Sequence, residues 1–138
     1  MSYWPSPHHG MVSEYQTSGV PFVTSSITNE AGGTTPICIQ FPFVTRWIVV
    51  HNTNKTNGDT LRIGFTSNGV KGVNGLKNYF LLDGLEQTPR LELKCDKIWF
   101  LADDGAKPCG FSVVAGLTNV TSDNFFLVSG SNGVAGVG

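Results

Sequence analysis

The chain has 138 residues, enough for one domain that buries roughly two-thirds of the surface its unfolded form exposes. Nine Lys and Arg against ten Asp and Glu leave a formal net charge of −1 with no basic run, which argues against a nucleic-acid partner. Only 14% of the residues are charged, against roughly 25% in an average soluble domain. This composition is typical of a chain that buries part of its exterior against neighbours, or of a Thr- and Asn-rich β protein, and no membrane span is predicted.

The middle of the chain alternates short runs of β-branched and aromatic residues with clusters of Gly, Asn, Asp or Pro, the pattern of strands and turns. It predicts eight strands, at residues 19–28, 36–42, 44–52, 60–66, 78–83, 90–95, 97–102 and 111–118. Side chains two residues apart share a face, as in the row Phe111, Val113, Ala115 and Leu117. We therefore expect an all-β fold, an eight-stranded antiparallel β-sandwich over residues 19–118.

Two segments are harder to interpret. Residues 90–104 also carry apolar residues at helical spacing, but we prefer two strands there because a lone helix would break the succession of short strands. Residues 67–78 contain three regularly spaced glycines and predict an exposed loop without a helix after it.

The two ends lack this periodicity. Residues 1–18 and 119–138 are predicted to be flexible arms, the second rich in Gly and Ser. Their large apolar rings are unfavourable in water, so the arms are candidate segments for docking on neighbouring subunits. The rings concerned are Trp4, Tyr15, Phe125 and Phe126. The alternative is that both arms wrap back on their own sandwich.

No arrangement in the sequence predicts catalysis. His8 and His9 lie in the first arm and His51 ends a strand, with no orienting partner apparent for any of them. The three cysteines have no C-x-x-C spacing, which argues against a zinc site and a disulfide framework. Phosphate-binding and nucleophile motifs are absent from the sequence. We expect no enzyme, no metal and no cofactor.

Three aromatic residues offer a different function. Trp47, Tyr79 and Trp99 could form a platform on which a sugar stacks, as in a carbohydrate-binding module. Each lies among apolar residues of a predicted strand, so burial in the core or in a subunit interface is the favoured interpretation.

Three runs carry a resemblance to a known family: FPFVTRWIVV at 41–50, LRIGF at 61–65 and FSVVAGLT at 111–118. They resemble single jelly-roll capsid proteins of large icosahedral double-stranded DNA viruses, particularly the vertex (penton) type. The resemblance covers about residues 20–118. It implies an eight-stranded jelly roll that assembles as a homo-oligomer, a pentamer, beside neighbouring capsid proteins in a virion, and that is made in the host cytoplasm. A phage head decoration or fibre domain, attaching to surface carbohydrate, would fit the same residues.

Overall fold

The structure is a computed structural model that describes residues 20–28, 35–55, 59–72, 77–104 and 107–125. These ranges contain seven strands, one short helix and a final 3-10 turn. The elements are β1 (Val20–Ile27), β2 (Ile37–Gln40), β3 (Phe43–Asn52), β4 (Leu61–Gly64), α1 (Ser67–Lys71), β5 (Tyr79–Leu82), β6 (Lys97–Ala102), β7 (Gly110–Thr121) and the turn (Ser122–Asn124). No helix in them is long and apolar enough to cross a membrane.

The strands form two antiparallel sheets. The front sheet has the order β1-β7-β3, and the back sheet has the order β2-β6-β4-β5. The predicted all-β sandwich is confirmed, and the described residues contain seven of the eight predicted strands. Strand β6 has its predicted bounds, and β7 extends to Thr121, three residues beyond its predicted end.

The larger of two hydrophobic clusters in the described residues lies between the inner faces of the sheets. From the front sheet, alternate residues of β7 point inward and are buried, as their spacing predicted: Phe111, Val113, Ala115 and Leu117. The back sheet contributes Ile63 and Phe100. The Phe100 and Phe111 rings stack with their centroids 4.0 Å apart, which joins the two sheets. The alternation therefore predicted the inward row of β7 correctly.

The missing strand is the one predicted at 90–95. Residues 85–95, which we call the edge segment, instead follow β3 irregularly. The Ile48 and Leu91 backbones exchange two hydrogen bonds of 2.9 and 2.8 Å, and the Thr88 N–H donates to the Val50 carbonyl at 2.8 Å. The edge segment thus covers the side of β3 that β7 leaves open.

Threonine side chains replace part of a regular ladder in this segment. The Val50 N–H donates to Thr88 Oγ1 at 3.0 Å. Near the other end of β3, Thr45 Oγ1 accepts from the Cys95 N–H at 3.1 Å and donates to the Leu93 carbonyl at 2.7 Å. Pro89 has no N–H to contribute. The segment pairs with β3 without regular strand geometry because side-chain oxygens take the place of backbone groups.

The predicted exposed loop at 67–78 begins with α1, so this prediction is wrong for its first residues. Thr66 caps the helix through Oγ1, which accepts from the Gly69 N–H at 3.0 Å. Gly72 ends it with φ 76°, the left-handed conformation that glycine adopts without strain. Val70 is fully buried and anchors the helix on β4.

Candidate assembly surface

The regularly paired part of the outer surface of the front sheet carries no Lys, Arg, Asp or Glu. Strand alternation places one row from each strand on it, and we call this surface the front face. Its members are Pro21, Val23, Ser25, Ile27, Trp47, Val49, His51, Ser112, Val114 and Gly116. Val23 is 73% exposed and Ile27 58% exposed, both unusually high for large apolar residues. The front face is therefore exposed along β1 and half-buried along β3.

A tryptophan lies at one end of the front face. Trp47 of β3 pairs with Gly116 of β7, and its half-buried indole packs on the glycine backbone. A Cβ atom at residue 116 would approach the indole Cε2 to 2.7 Å, so only glycine allows this position of the ring. The pair explains a glycine inside a long strand, where it otherwise weakens the sheet.

The outer surface of the back sheet differs, because α1 covers part of it. We call it the back face. Tyr79 and Trp99 lie on either side of Gly64, and Val70 of α1 occupies the space above that glycine. A Cβ at residue 64 would approach Val70 Cγ2 to 2.5 Å. The helix thus docks where β4 has no side chain.

An arginine connects the parts of the back face. Arg62 Nε contacts Asp103 Oδ1 at 2.7 Å, and Nη1 donates to the Val70 carbonyl at 3.2 Å. The guanidinium lies 4.5 Å from the centroid of the Tyr79 ring, a cation–π geometry. The Arg62 side chain therefore connects β4 to α1, to β5 and to the residue that follows β6.

The structure separates the residues of the predicted sugar platform. Trp47 lies on the front face, whereas Tyr79 and Trp99 lie on the back face. The two surfaces have the whole core between them, so the three rings share no single surface. Only Tyr79 and Trp99 remain together, and the Tyr79 ring is already in contact with Arg62.

Of the four predicted arm residues, Phe125 is the one that lies within the described residues. Trp4, Tyr15 and Phe126 lie outside the described residues. Phe125 is half-buried and packs against Val44 and Val120 of its own sandwich. The Phe125 ring therefore contacts its own sandwich, and the prediction for the other arm residues is not tested.

The titratable side chains of the described residues form no metal-binding cluster. They include no group of three or more His, Cys, Asp or Glu placed to hold a metal ion. Burial raises the pKa of the Cys95 thiol to about 12, and burial together with Asp59 raises that of Cys109 to about 11. The pKa of Cys38 is raised by burial as well. These thiols stay protonated at neutral pH and are weak nucleophiles.

Sequence reasoning did not single out the front face, although β1 carries a signal for it. The strand reads VPFVTSSI and contains no charged residue. Edge strands normally carry charge that discourages pairing with another chain. An uncharged edge strand beside an uncharged central strand is the pattern that predicts such a surface.

Comparisons with known proteins identify no family for this chain. No family model matches the chain, and no curated protein matches it. Among solved structures, the chain is similar to the Yersinia pseudotuberculosis-derived mitogen (YPM) at 14% identity. The match covers 80% of this chain and 97% of that chain, with a TM-score of 0.40. A likeness at this level supports no argument about fold or function.

Proposed function

We propose that the chain is a single jelly roll. If the edge segment is counted as the sixth of eight elements, the front sheet has the order 1-8-3-6 and the back sheet the order 2-7-4-5. This is the order in which a jelly roll interleaves its two Greek keys. The hydrogen bonds between β3 and the edge segment support the proposal, since without them the front sheet has only three members.

The jelly roll serves as a structural subunit of an icosahedral virus, at the vertex of the capsid. It assembles with copies of itself, as a pentamer, and with neighbouring capsid proteins in the virion, after synthesis in the host cytoplasm. The observation that carries this proposal is the front face, whose members include no Lys, Arg, Asp or Glu and on which the apolar Val23 is 73% exposed. Exposed apolar patches of this kind mark interaction sites, and jelly rolls are a common fold of capsid subunits.

Particle localisation tests the proposal. Antibodies against the purified chain should label vertices of icosahedral particles from the source in which the gene is found, and native mass spectrometry of the chain should give closed rings of identical subunits. Absence of the chain from purified particles, with a monomeric mass at high concentration, would contradict the structural role.

A carbohydrate-binding module is the second candidate. Tyr79 and Trp99 favour it, because both are only half-buried and lie on the back face on either side of Gly64. Glycan-array binding that is lost in both Tyr79→Ala and Trp99→Ala but kept in Trp47→Ala would support this function. Loss in Trp47→Ala alone would contradict it, since Trp47 lies on the opposite surface.

A further inference from the structure

The described residues leave four sheet edges, and three of them are protected. The edge segment covers β3, and the two edge strands of the back sheet, β2 and β5, have only four residues each. The fourth edge is β1, which has eight residues, no charge and no strand beyond it among the described residues. A long apolar edge strand is a template for pairing with another chain.

The unpaired groups on this edge follow from the register. The Thr28 N–H donates to the Cys109 carbonyl at 2.8 Å, so at this point the backbone groups of the even-numbered residue face β7. Hydrogen-bonded and non-bonded pairs alternate along an antiparallel ladder. The N–H and C=O groups of Val23, Ser25 and Ile27 therefore point away from the sheet, whereas Pro21 presents only a carbonyl.

We propose that the occupant of this edge is β1 of a second copy, paired antiparallel about a two-fold axis at Ser25. In this register Ser25 faces its own copy, and Val23 of each chain faces Ile27 of the other. Each of these three residues has both a backbone N–H and a backbone C=O. Every outward backbone group from residue 23 to residue 27 is therefore hydrogen-bonded to the second copy. Registers that bring Pro21 opposite one of them leave a carbonyl without a donor.

Side-chain chemistry supports the same occupant. Pairing two β1 strands brings no charged side chains together, because the strand has none. It also places Val23, 73% exposed, beside Ile27, 58% exposed, twice across the interface. Cross-strand pairs of branched apolar residues stabilise antiparallel sheets. The two front faces then form one continuous surface across six strands.

This pairing does not rest on the proposed role in a virion. It uses the β1 flank of each sandwich and leaves the opposite flank free, so it is compatible with a ring but does not require one. Closed rings that lack the β1–β1 pairing would support only the proposed function. Dimers paired through β1 that do not form rings would support only the present inference.

Disulfide trapping tests the register. In a Cys38→Ser background, Ser25→Cys should form a covalent dimer under mild oxidation, because directly opposed Cα atoms lie about 5.5 Å apart, within the range a disulfide spans. Val114→Cys is the matched control, since it lies on the same front face but on the central strand. Preferential crosslinking through residue 114 would indicate stacked front faces and overturn the proposal, as would a monomer that crosslinks at neither position.

Proline substitutions test the edge itself. Val23→Pro removes an N–H that faces the partner, so the dimer dissociation constant measured by sedimentation equilibrium should rise at least about tenfold with little change in melting temperature. Thr24→Pro removes an N–H that faces β7 and should lower the melting temperature instead. Unchanged dimerisation of a folded Val23→Pro variant would overturn the proposal. A full chain that is monomeric but dimerises after deletion of residues 1–19 would also overturn it, by identifying that segment as the occupant.

Discussion

The front and back faces belong to one sandwich but are completed in different ways. On the back face, the connection between β4 and β5 forms α1, and Val70 and Arg62 bind this helix to the sheet. On the front face, no element of the described residues crosses the strands, and Val114 at its centre is 39% exposed. The connections between strands therefore determine which outer surface of this sandwich remains available to a partner.

The largest expected effect is the contrast between two single variants, one with a lysine on the back face and one with a lysine on the front face. Leu101 lies on the back face and is 7% exposed, so Leu101→Lys should lower the free energy of unfolding by about 3 to 5 kcal/mol, because it buries an unpaired ammonium group. Val114→Lys is the matched change on the front face and should cost within about 0.5 kcal/mol. Urea unfolding of both variants measures the contrast. Equal losses would mean that the front face is covered too.

A smaller effect is expected at the one close contact of the front face. Gly116→Ala forces the Trp47 indole from its position and should cost about 1 to 3 kcal/mol, measured by chemical denaturation. The same substitution in a Trp47→Ala background should cost much less, since the conflicting ring is gone. Additive losses in the double-mutant cycle would show that the glycine is required for another reason.

Alkaline pH probes the edge segment, which carries Cys95. The ordinary thiol pKa is 9.0, and burial raises that of Cys95 to about 12. Between these values the folded chain keeps a proton that the unfolded chain releases. The contribution of Cys95 to the free energy of unfolding is therefore at its full value below pH 9 and should fall by about 1.4 kcal/mol per pH unit between pH 9 and pH 12.

Cys95→Ala should remove that part of the pH slope, as followed by urea unfolding at several alkaline pH values. Cys38→Ser serves as the control. Burial raises the pKa of the Cys38 thiol as well, but this side chain is only half-buried, whereas Cys95 is buried. Identical slopes in the wild-type and Cys95→Ala proteins would mean that the edge segment opens to solvent before the sandwich unfolds.

The smallest effect concerns the arginine of the back face. Arg62→Lys keeps the charge but loses the planar group that contacts Tyr79, Asp103 and the Val70 carbonyl together, so we expect a loss of about 1 kcal/mol in thermal or urea unfolding. Arg90 pairs with Glu92 at an exposed site, and Arg90→Lys should cost no more than about 0.3 kcal/mol. A larger loss at residue 90 would reverse the ranking of the two sites.

Several features of the fold could be predicted from the sequence because they depend on near neighbours. Alternation identified the inward row of β7, and β6 was located at its observed bounds of Lys97–Ala102. Side chains two residues apart in a strand must share a face, so this information is present in any short stretch. The helix α1 was missed because its stability comes from Val70 packing on Gly64, a contact between different elements.

A β-sandwich with few charged residues could be predicted from the sequence alone, since strand periodicity and composition are local properties. The position of Trp47 on the opposite face from Tyr79 and Trp99 could not be predicted, because the face of a residue depends on which sheet its strand joins. Tertiary structure also decided that residues 85–95 protect one edge of the front sheet while β1 keeps its outward backbone groups unpaired within the described residues. Strand order, which sets both outcomes, arises from contacts between residues far apart in the chain.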